Sequence, residues 1–264
     1  MGTILHPAEF LRPTHYVDCD SPNIREFVSR HGGSNHDLST TEKAICLFDA
    51  VRDRIKYDPY KVSLFADDYR ASEIVRRSFA FCVPKAILLT AALRAAGIPA
   101  AVGFADVRNH LNSPRLAELM GTDLFIYHGY VVLWLNNKMF KVTPAFNMEL
   151  CERFGVRPLI FNGKTDALFH EFDQHCQRHM EYVNDRGWFA DPPMSRILED
   201  FKIAYPKLAT VVSVRIHLAT MPSTMSENKM TTTCKVTGIA DQFARTSAFA
   251  ASRMPKGPRP HRFP

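Results

Sequence analysis

The stretch that decides the fold is Phe79-Ala-Phe-Cys-Val-Pro-Lys-Ala-Ile-Leu-Leu-Thr-Ala-Ala-Leu-Arg-Ala-Ala-Gly-Ile-Pro-Ala100. Its apolar residues recur at helical spacing, and Pro84 suits the first turn of a helix, where a backbone N–H has no partner to lose. Gly97 can adopt the left-handed conformation that ends a helix, and Pro99 prevents its continuation. The stretch therefore predicts a helix that is bounded at both ends, with Cys82 at its first residue.

A cysteine at the start of a helix has two explanations. The free N–H groups and the helix dipole stabilise negative charge there, which favours a nucleophilic thiolate. Cysteine is also among the most buried residue types, so a structural role is the more common explanation when position is the only evidence. The hypothesis that Cys82 is a nucleophile therefore depends on the segments that follow it.

These segments predict three strands, at about 100–105, 124–135 and 138–142, after a long polar connection at 105–123. If Asn136 and Asn137 form a two-residue turn, the pairing register places Tyr130 opposite Thr143. His128 then shares a face with Tyr130 and lies diagonal to Thr143, at about 7–8 Å between backbones. The hairpin thus predicts that His128 and Thr143 lie close enough for polar side chains to meet.

The order of these segments resembles the transglutaminase-like superfamily of papain-type cysteine enzymes. The matching pieces are Cys82, Gly97-Ile-Pro-Ala-Ala-Val-Gly-Phe104, Tyr127-His-Gly-Tyr130 and Phe140-Lys-Val-Thr-Pro-Ala-Phe-Asn147. The resemblance covers about 40–147, and Met180-Glu-Tyr-Val183 with Asp191-Pro-Pro193 is similar to the end of a bacterial subgroup of unassigned substrate. It implies an α+β fold of the papain/transglutaminase-like type, with the catalytic-cysteine helix packed on an antiparallel β-sheet.

The resemblance also implies roles for individual residues. Cys82 would be the nucleophile and His128 the proton shuttle. Thr143 occupies the position of the family's aspartate, where its hydroxyl could accept a hydrogen bond from the imidazole but carries no charge. Because asparagine orients the histidine in papain-type enzymes, Asn147 is the alternative orienting residue. Cys19, Cys46, Cys151 and Cys234 lack comparable surroundings and are expected to be structural.

The implied function is acyl transfer or hydrolysis at amide or peptide bonds, with a peptide or protein amide as substrate and no cofactor. The alternative is a catalytically silent domain that binds peptide or protein partners in the same cleft. A second polar cluster (His170, Asp173, His175, Cys176, His179 and Glu181) has metal-capable side chains, but its spacing fits no established zinc pattern. We expect solvated polar residues there and no metal.

Charge divides the 264 residues into two parts. From Lys202 onward, ten basic side chains face two acidic ones, whereas the preceding residues carry a net charge of about −2. We therefore expect a transglutaminase-like domain over 1–206, with its core at about 40–147 and a C-terminal part at 148–206. A basic, disordered tail would follow at 207–264, with one strand at Val211–Leu218.

The tail could be an anchor for nucleic acid or anionic membranes, but it has neither interleaved aromatic residues nor a hydrophobic anchor. We therefore expect no nucleic acid and no membrane as partners. No run of 18 apolar residues and no signal-peptide pattern is present, and the six cysteines form no CxxC pair. These features predict a cytoplasmic protein with reduced thiols.

Local signals predict further elements on the N-terminal side. Ser39 and Glu42 form a capping-box pattern that starts an amphipathic helix, which we expect to end near Tyr57 because Pro59 follows. Short helices are expected at about 22–29 and 71–77.

Overall fold

The computed structural model of the chain describes residues 7–109, 113–168 and 180–220, with side chains described through Ser213. Its contacts divide the chain after Ala209, and the fold below is that of the first unit. The α-helices are α1 (Pro22–Arg30), α2 (Thr40–Arg54), α3 (Ala71–Ile74), α4 (Cys82–Ala95), α5 (Pro114–Met120), α6 (Met148–Phe154), α7 (Met194–Ala204) and α8 (Pro206–Thr220). The strands are β1 (Lys56–Tyr57), β2 (Phe79–Ala80), β3 (Ala100–Asn109), β4 (Leu124–Leu135), β5 (Lys138–Val142) and β6 (Met180–Phe189).

The main sheet has four antiparallel strands in the order β5-β4-β3-β6, and β1 and β2 form a separate parallel pair. Helix α4 packs against β4 and β3, and α1, α2 and α3 also contact it. Every residue of α4 from Cys82 to Arg94 is buried, as expected for a helix that is enclosed on all sides. The predicted α+β fold, with the cysteine helix on an antiparallel sheet, is confirmed. Within the described residues, no helix combines the length and hydrophobicity needed to cross a bilayer.

The boundaries of α4 are those that the sequence predicts. The helix begins at Cys82, and Gly97 follows its end with φ of 77°. Ile98 N–H donates to Leu93 C=O at 2.9 Å and Gly97 N–H donates to Arg94 C=O at 2.9 Å, which is the Schellman arrangement. The helix that carries the candidate nucleophile is therefore fixed at its C-terminal end by local chemistry.

The predicted hairpin is also confirmed. Leu135 pairs with Lys138, and the same register continues to the pair Val131–Val142. Asn136 and Asn137 have φ of 50° and 63°, the left-handed values that a type I′ turn needs and that asparagine tolerates. Thr143 thus lies one residue beyond the last β5 pair.

A buried lysine links α4 to α2. Lys85 is fully buried, and its ammonium group donates to the carbonyl oxygens of Arg52, at 2.7 Å, and Ile55. These carbonyls at the end of α2 have no intrahelical donors, so Lys85 satisfies them. This contact holds the turn between α2 and β1 against the second turn of α4.

Because Lys85 is buried, we expect the free energy of unfolding to rise between pH 7 and about pH 9, the pH at which thiols of the unfolded chain begin to lose protons. Burial lowers the pKa of Lys85 from 10.5 to about 7, so the unfolded chain binds more protons than the folded one in this window. Denaturant titrations at several pH values would measure the slope. Lys85→Met should flatten it, and equal slopes in the two proteins would contradict the assignment.

Four predictions of secondary structure are corrected. Helix α2 ends at Arg54 instead of near Tyr57, because the chain turns extended at Ile55 and Lys56 N–H donates to Ser78 C=O at 2.9 Å. The connection 105–123 contains α5, whose N-terminus is capped by the hydroxyl of Ser113. The predicted short helices at 22–29 and 71–77 are present as α1 and α3, although α3 ends at Ile74.

The fourth correction concerns the expected strand at Val211–Leu218, which lies within α8. Pro206 suits the first turn of a helix, and Leu208 and Val212 are buried four residues apart on one helical face. Burial in this segment therefore follows helical spacing, and the alternation of apolar and polar residues does not produce a strand. The division between domain and tail at 206/207 falls at the first residue of α8 and stays a prediction.

Candidate active site

The first turn of α4 meets β4 at a glycine. A Cβ added to Gly129 would lie 2.9 Å from the carbonyl oxygen of Cys82 and 2.9 Å from the Cα of Val83. Only glycine allows this approach, which is closer than real Cβ contacts. Since His128 directly precedes Gly129, the contact brings the backbone of His128 to the start of the cysteine helix.

The surroundings of the Cys82 thiol act on its pKa in opposite directions. Burial raises it from 9.0 to about 11, whereas the backbone N–H groups of Gly129, Val83 and Cys82 lower it by hydrogen bonding to the sulfur. Burial is the larger effect, so these surroundings favour the neutral thiol. The helix position, by contrast, favours the thiolate, and the protonation state expected from the sequence stays a prediction.

Cys82 and His128 line the same cavity. Both are buried, with 9% and 4% of their surface exposed, so a proton that leaves the thiol is not transferred directly to bulk water. The other lining residues come from β1 and the loop after it, from the residue before α4, from α5, β4 and α7, and from the residues around the start of α8. Most of them are apolar: Tyr57, Pro59, Val62, Phe81, Leu116, Met120, Phe125, Ile126, Tyr127, Phe201, Tyr205 and Leu208.

The residue before His128 has a strained backbone. Tyr127 has φ of 56°, a left-handed value that bulky residues rarely adopt. The β3–β4 register shifts at this point, between Ala105 and Val107. Asp106, in the shift, accepts the N–H of Tyr127 at 3.1 Å and the guanidinium N–H of Arg186 at 2.6 Å. Where the β3–β4 register shifts, the buried carboxylate of Asp106 thus accepts the Tyr127 N–H in place of a backbone carbonyl.

Further contacts hold the same segment of β4. The Tyr127 hydroxyl donates to Asp200 at 2.6 Å, and the Arg186 guanidinium lies 4.0 Å above the Tyr127 ring. The Tyr205 hydroxyl accepts the N–H of Ile126 at 2.6 Å and donates to Leu124 C=O at 3.1 Å. Side chains from β3, β6, α7 and the end of the domain therefore fix the backbone that leads into His128.

The two candidate orienting residues differ in their hydrogen bonding. Thr143 is buried, its N–H donates to Ala167 C=O at 2.8 Å, and its hydroxyl oxygen has no hydrogen-bond partner among the described residues. Asn147 is also buried, but its side-chain oxygen accepts the N–H of Tyr57 at 3.1 Å. Asn147 thus ties β1 to the start of α6, whereas the Thr143 hydroxyl is not hydrogen-bonded to His128 or to any other described residue.

Most of the second polar cluster lies outside the described residues, namely His170, Asp173, His175, Cys176 and His179. Its remaining member, Glu181, lies on β6 opposite Arg108 of β3. In the described parts of the chain, no group of three or more His, Cys, Asp or Glu side chains could hold a metal ion.

Sequence reasoning did not identify Tyr127, Arg186, Asp200 or Tyr205 as contributors to this site. It described the segment around Asp106 only as the start of a long polar connection. No local pattern marks a left-handed tyrosine inside an apolar strand, and the partners of Asp106 are 21 and 80 residues away. These contacts therefore depend on the folded sheet and have no signal in the local sequence.

Comparisons with known proteins agree with this architecture. The sequence matches the model of the transglutaminase-like superfamily over residues 30–192. A solved structure of a candidate cysteine protease from Cytophaga hutchinsonii is 14% identical, with a TM-score of 0.38, over 67% of this chain and 50% of that chain. A candidate protease from Parabacteroides distasonis is 17% identical, with a TM-score of 0.32, over 52% and 30%. No curated protein matches the sequence.

The chain thus spans half or less of the length of these two solved structures. The family match covers more than half of this chain, from the last residue of α1 to the residues after β6. It includes the cysteine helix, the strand with His128 and the hairpin that leads to Thr143. By this match the protein is a member of the transglutaminase-like superfamily.

Proposed function

We propose that the protein is a cysteine-dependent enzyme that transfers or hydrolyses acyl groups at amide or peptide bonds. The observation that carries this proposal is the shared cavity, in which Cys82 at the start of α4 and His128 of β4 are both lining residues. A nucleophile, a base and oriented backbone N–H groups are the parts that acyl transfer requires.

In the proposed reaction, His128 takes the proton from the Cys82 thiol as the sulfur attacks the carbonyl carbon. The backbone N–H of Cys82 is one donor to the oxyanion that forms. His128 then returns the proton to the amine nitrogen as the carbon–nitrogen bond breaks, which leaves a thioester on Cys82. Water or a second amine, deprotonated by His128, attacks the thioester and restores the thiol. Because the cavity is largely apolar, exclusion of water decides between hydrolysis and transfer.

The pH dependence of Cys82 alkylation tests the role of His128. Burial raises the pKa of the thiol to about 11, so without a base the reaction with iodoacetamide requires alkaline solution. We expect the wild-type protein to react near neutral pH and His128→Ala to show a profile shifted upward by several pH units. Mass spectrometry of the alkylated peptide gives the rate at Cys82, and superimposable profiles would contradict the proposal.

A second function is favoured by two specific observations, the threonine at the family's aspartate position and the high pKa of the thiol. In this alternative the domain is catalytically silent and binds a peptide or protein in the same cleft. It predicts alkaline-only alkylation in both the wild-type and the His128→Ala protein, together with peptide binding that survives Cys82→Ser. The same alkylation series therefore separates the two functions.

We also propose that Thr143 orients His128 during the reaction, using its available hydroxyl oxygen as the acceptor. Thr143→Val is expected to slow alkylation at neutral pH by roughly two- to tenfold, the worth of one neutral hydrogen bond. The free energy of unfolding should stay equal or increase, because the substitution removes a buried hydroxyl without a hydrogen-bond partner. An unchanged alkylation rate would shift the role to Asn147 or to a group outside the hairpin.

A further inference from the structure

The cavity around Cys82 has apolar walls on several sides. Leu116 and Met120 of α5, Phe125 of β4 and Phe201 of α7 all line it. Of the described residues that line it, none is an aspartate, glutamate, lysine or arginine. The walls therefore offer contact area for hydrocarbon and no formal charge for recognition.

Three polar groups in or next to these walls have partners of their own. Asp200, the neighbour of Phe201, accepts the hydroxyl of Tyr127 at 2.6 Å. The Arg115 guanidinium, next to Leu116, lies 4.9 Å from the centre of the Tyr60 ring. The Tyr205 hydroxyl, although Tyr205 lines the cavity, is bonded to two backbone groups of β4. These three groups are therefore occupied, and an amide or a charge placed against the apolar side chains of the walls would lose its water without a hydrogen bond from them.

We infer that the cavity binds an apolar side chain of methionine or leucine size on the acyl side of the substrate, and that it disfavours the carboxamide of glutamine. The inference rests on the proposed function, since the thioester keeps the acyl group beside Cys82 after the amine has left. The free volume is small, about 40 Å³, so an entering side chain must displace neighbours. Met120 is suited to this because an unbranched thioether side chain repacks easily.

Methionine and glutamine side chains have nearly the same shape and differ in polarity, so they form a matched pair of probes. N-acetyl-methionyl and N-acetyl-glutaminyl acyloxymethyl ketones would alkylate Cys82 with the same reactive group. We expect the methionyl probe to react at least about tenfold faster, because desolvating the carboxamide is costly. Equal rates, or a faster glutaminyl probe, would overturn the inference.

Replacing a methionine of the cavity wall by glutamine applies the same change in polarity to the protein. Met120→Gln should bring the ratio of the two rates close to one. Met139→Gln is the matched control, because Met139 lies on β5, is 49% exposed and does not line the cavity; it should keep the wild-type ratio. If Met120→Gln lacks a cooperative thermal transition, Leu116→Gln replaces it with the same expectation. A ratio that is unchanged in a folded wall variant would contradict the inference.

Binding without chemistry separates this inference from the proposed function. Calorimetry on the Cys82→Ser protein would compare N-acetyl-methioninamide with N-acetyl-glutaminamide. Preferential binding of the methionine compound supports the inference even if no probe ever alkylates the wild-type cysteine, a result that would defeat only the enzyme proposal. Alkylation of Cys82 with no preference in either assay would defeat only the inference.

Discussion

Cys82→Ser is expected to abolish amide hydrolysis or acyl transfer, with a loss of at least about a thousandfold, because the serine hydroxyl is a far weaker nucleophile than the thiol in this site. Labelling of the protein by a cysteine-directed electrophile at neutral pH should disappear with it. The substitution changes one atom at the first residue of α4, so the thermal transition should remain close to that of the wild-type protein.

Cys151→Ser is the matched control for this experiment. Cys151 is also buried in the first unit, and burial raises the pKa of its thiol to about 11 as well. Its sulfur lies 3.9 Å from the carbonyl oxygen of Phe146, and it does not line the cavity with His128. Cys46→Ser provides a more exposed control. Activity and labelling should persist in both controls, and labelling that persists in Cys82→Ser would defeat the assignment of the nucleophile.

Gly129→Ala is expected to destabilise the protein by about 1–3 kcal/mol, the usual cost of overpacking, and to slow alkylation of Cys82 by about a hundredfold. The added Cβ would lie 2.9 Å from two backbone atoms of the first turn of α4. Backbone atoms cannot move aside as a flexible side chain can, so α4 and β4 must separate. A displacement of even 1 Å between reacting groups can cost about a hundredfold in rate.

Gly155→Ala separates the loss of stability from the loss of geometry. Gly155 ends α6 with φ of 62°, and an added Cβ would meet no atom within 4 Å. The left-handed backbone costs alanine about 1–2 kcal/mol, so the destabilisation is similar while the start of α4 stays in place. We therefore expect Gly129→Ala to lower both the free energy of unfolding, measured by denaturant titration, and the alkylation rate of Cys82. Gly155→Ala should lower only the free energy of unfolding. Equal alkylation rates in the two variants would refute the role of Gly129.

The parts of the fold that the sequence predicts correctly depend on contacts between near neighbours. The limits of α4 follow from Gly97 and Pro99, and the hairpin register follows from Asn136 and Asn137. The residues at the ends of these elements carry their own signals, so no knowledge of distant segments is needed. The family resemblance added the order of the elements, which placed the cysteine helix against the strand with His128.

The protonation state of Cys82 could not be predicted in the same way. The helix dipole is a local property and favours the thiolate, but burial depends on Tyr205, Phe201 and other residues far along the chain. The same reasoning applies to α8, where alternation in sequence suggested a strand and burial of Leu208 and Val212 followed a helical face. At Cys82 burial opposes a local argument, and in α8 the helical period replaces the expected alternation.

Because the Tyr205 hydroxyl supports the strand before His128, the site is complete only after the ribosome has synthesised Tyr205. This hydroxyl bonds Leu124 C=O and Ile126 N–H, about eighty residues earlier in the chain, just before His128. A nascent chain that has emerged from the ribosome only as far as β6 contains Cys82, His128 and Thr143, but lacks this support and the wall formed by Phe201. The surroundings of Cys82 and His128 are therefore completed late during translation, after the sheet that carries His128 has been made.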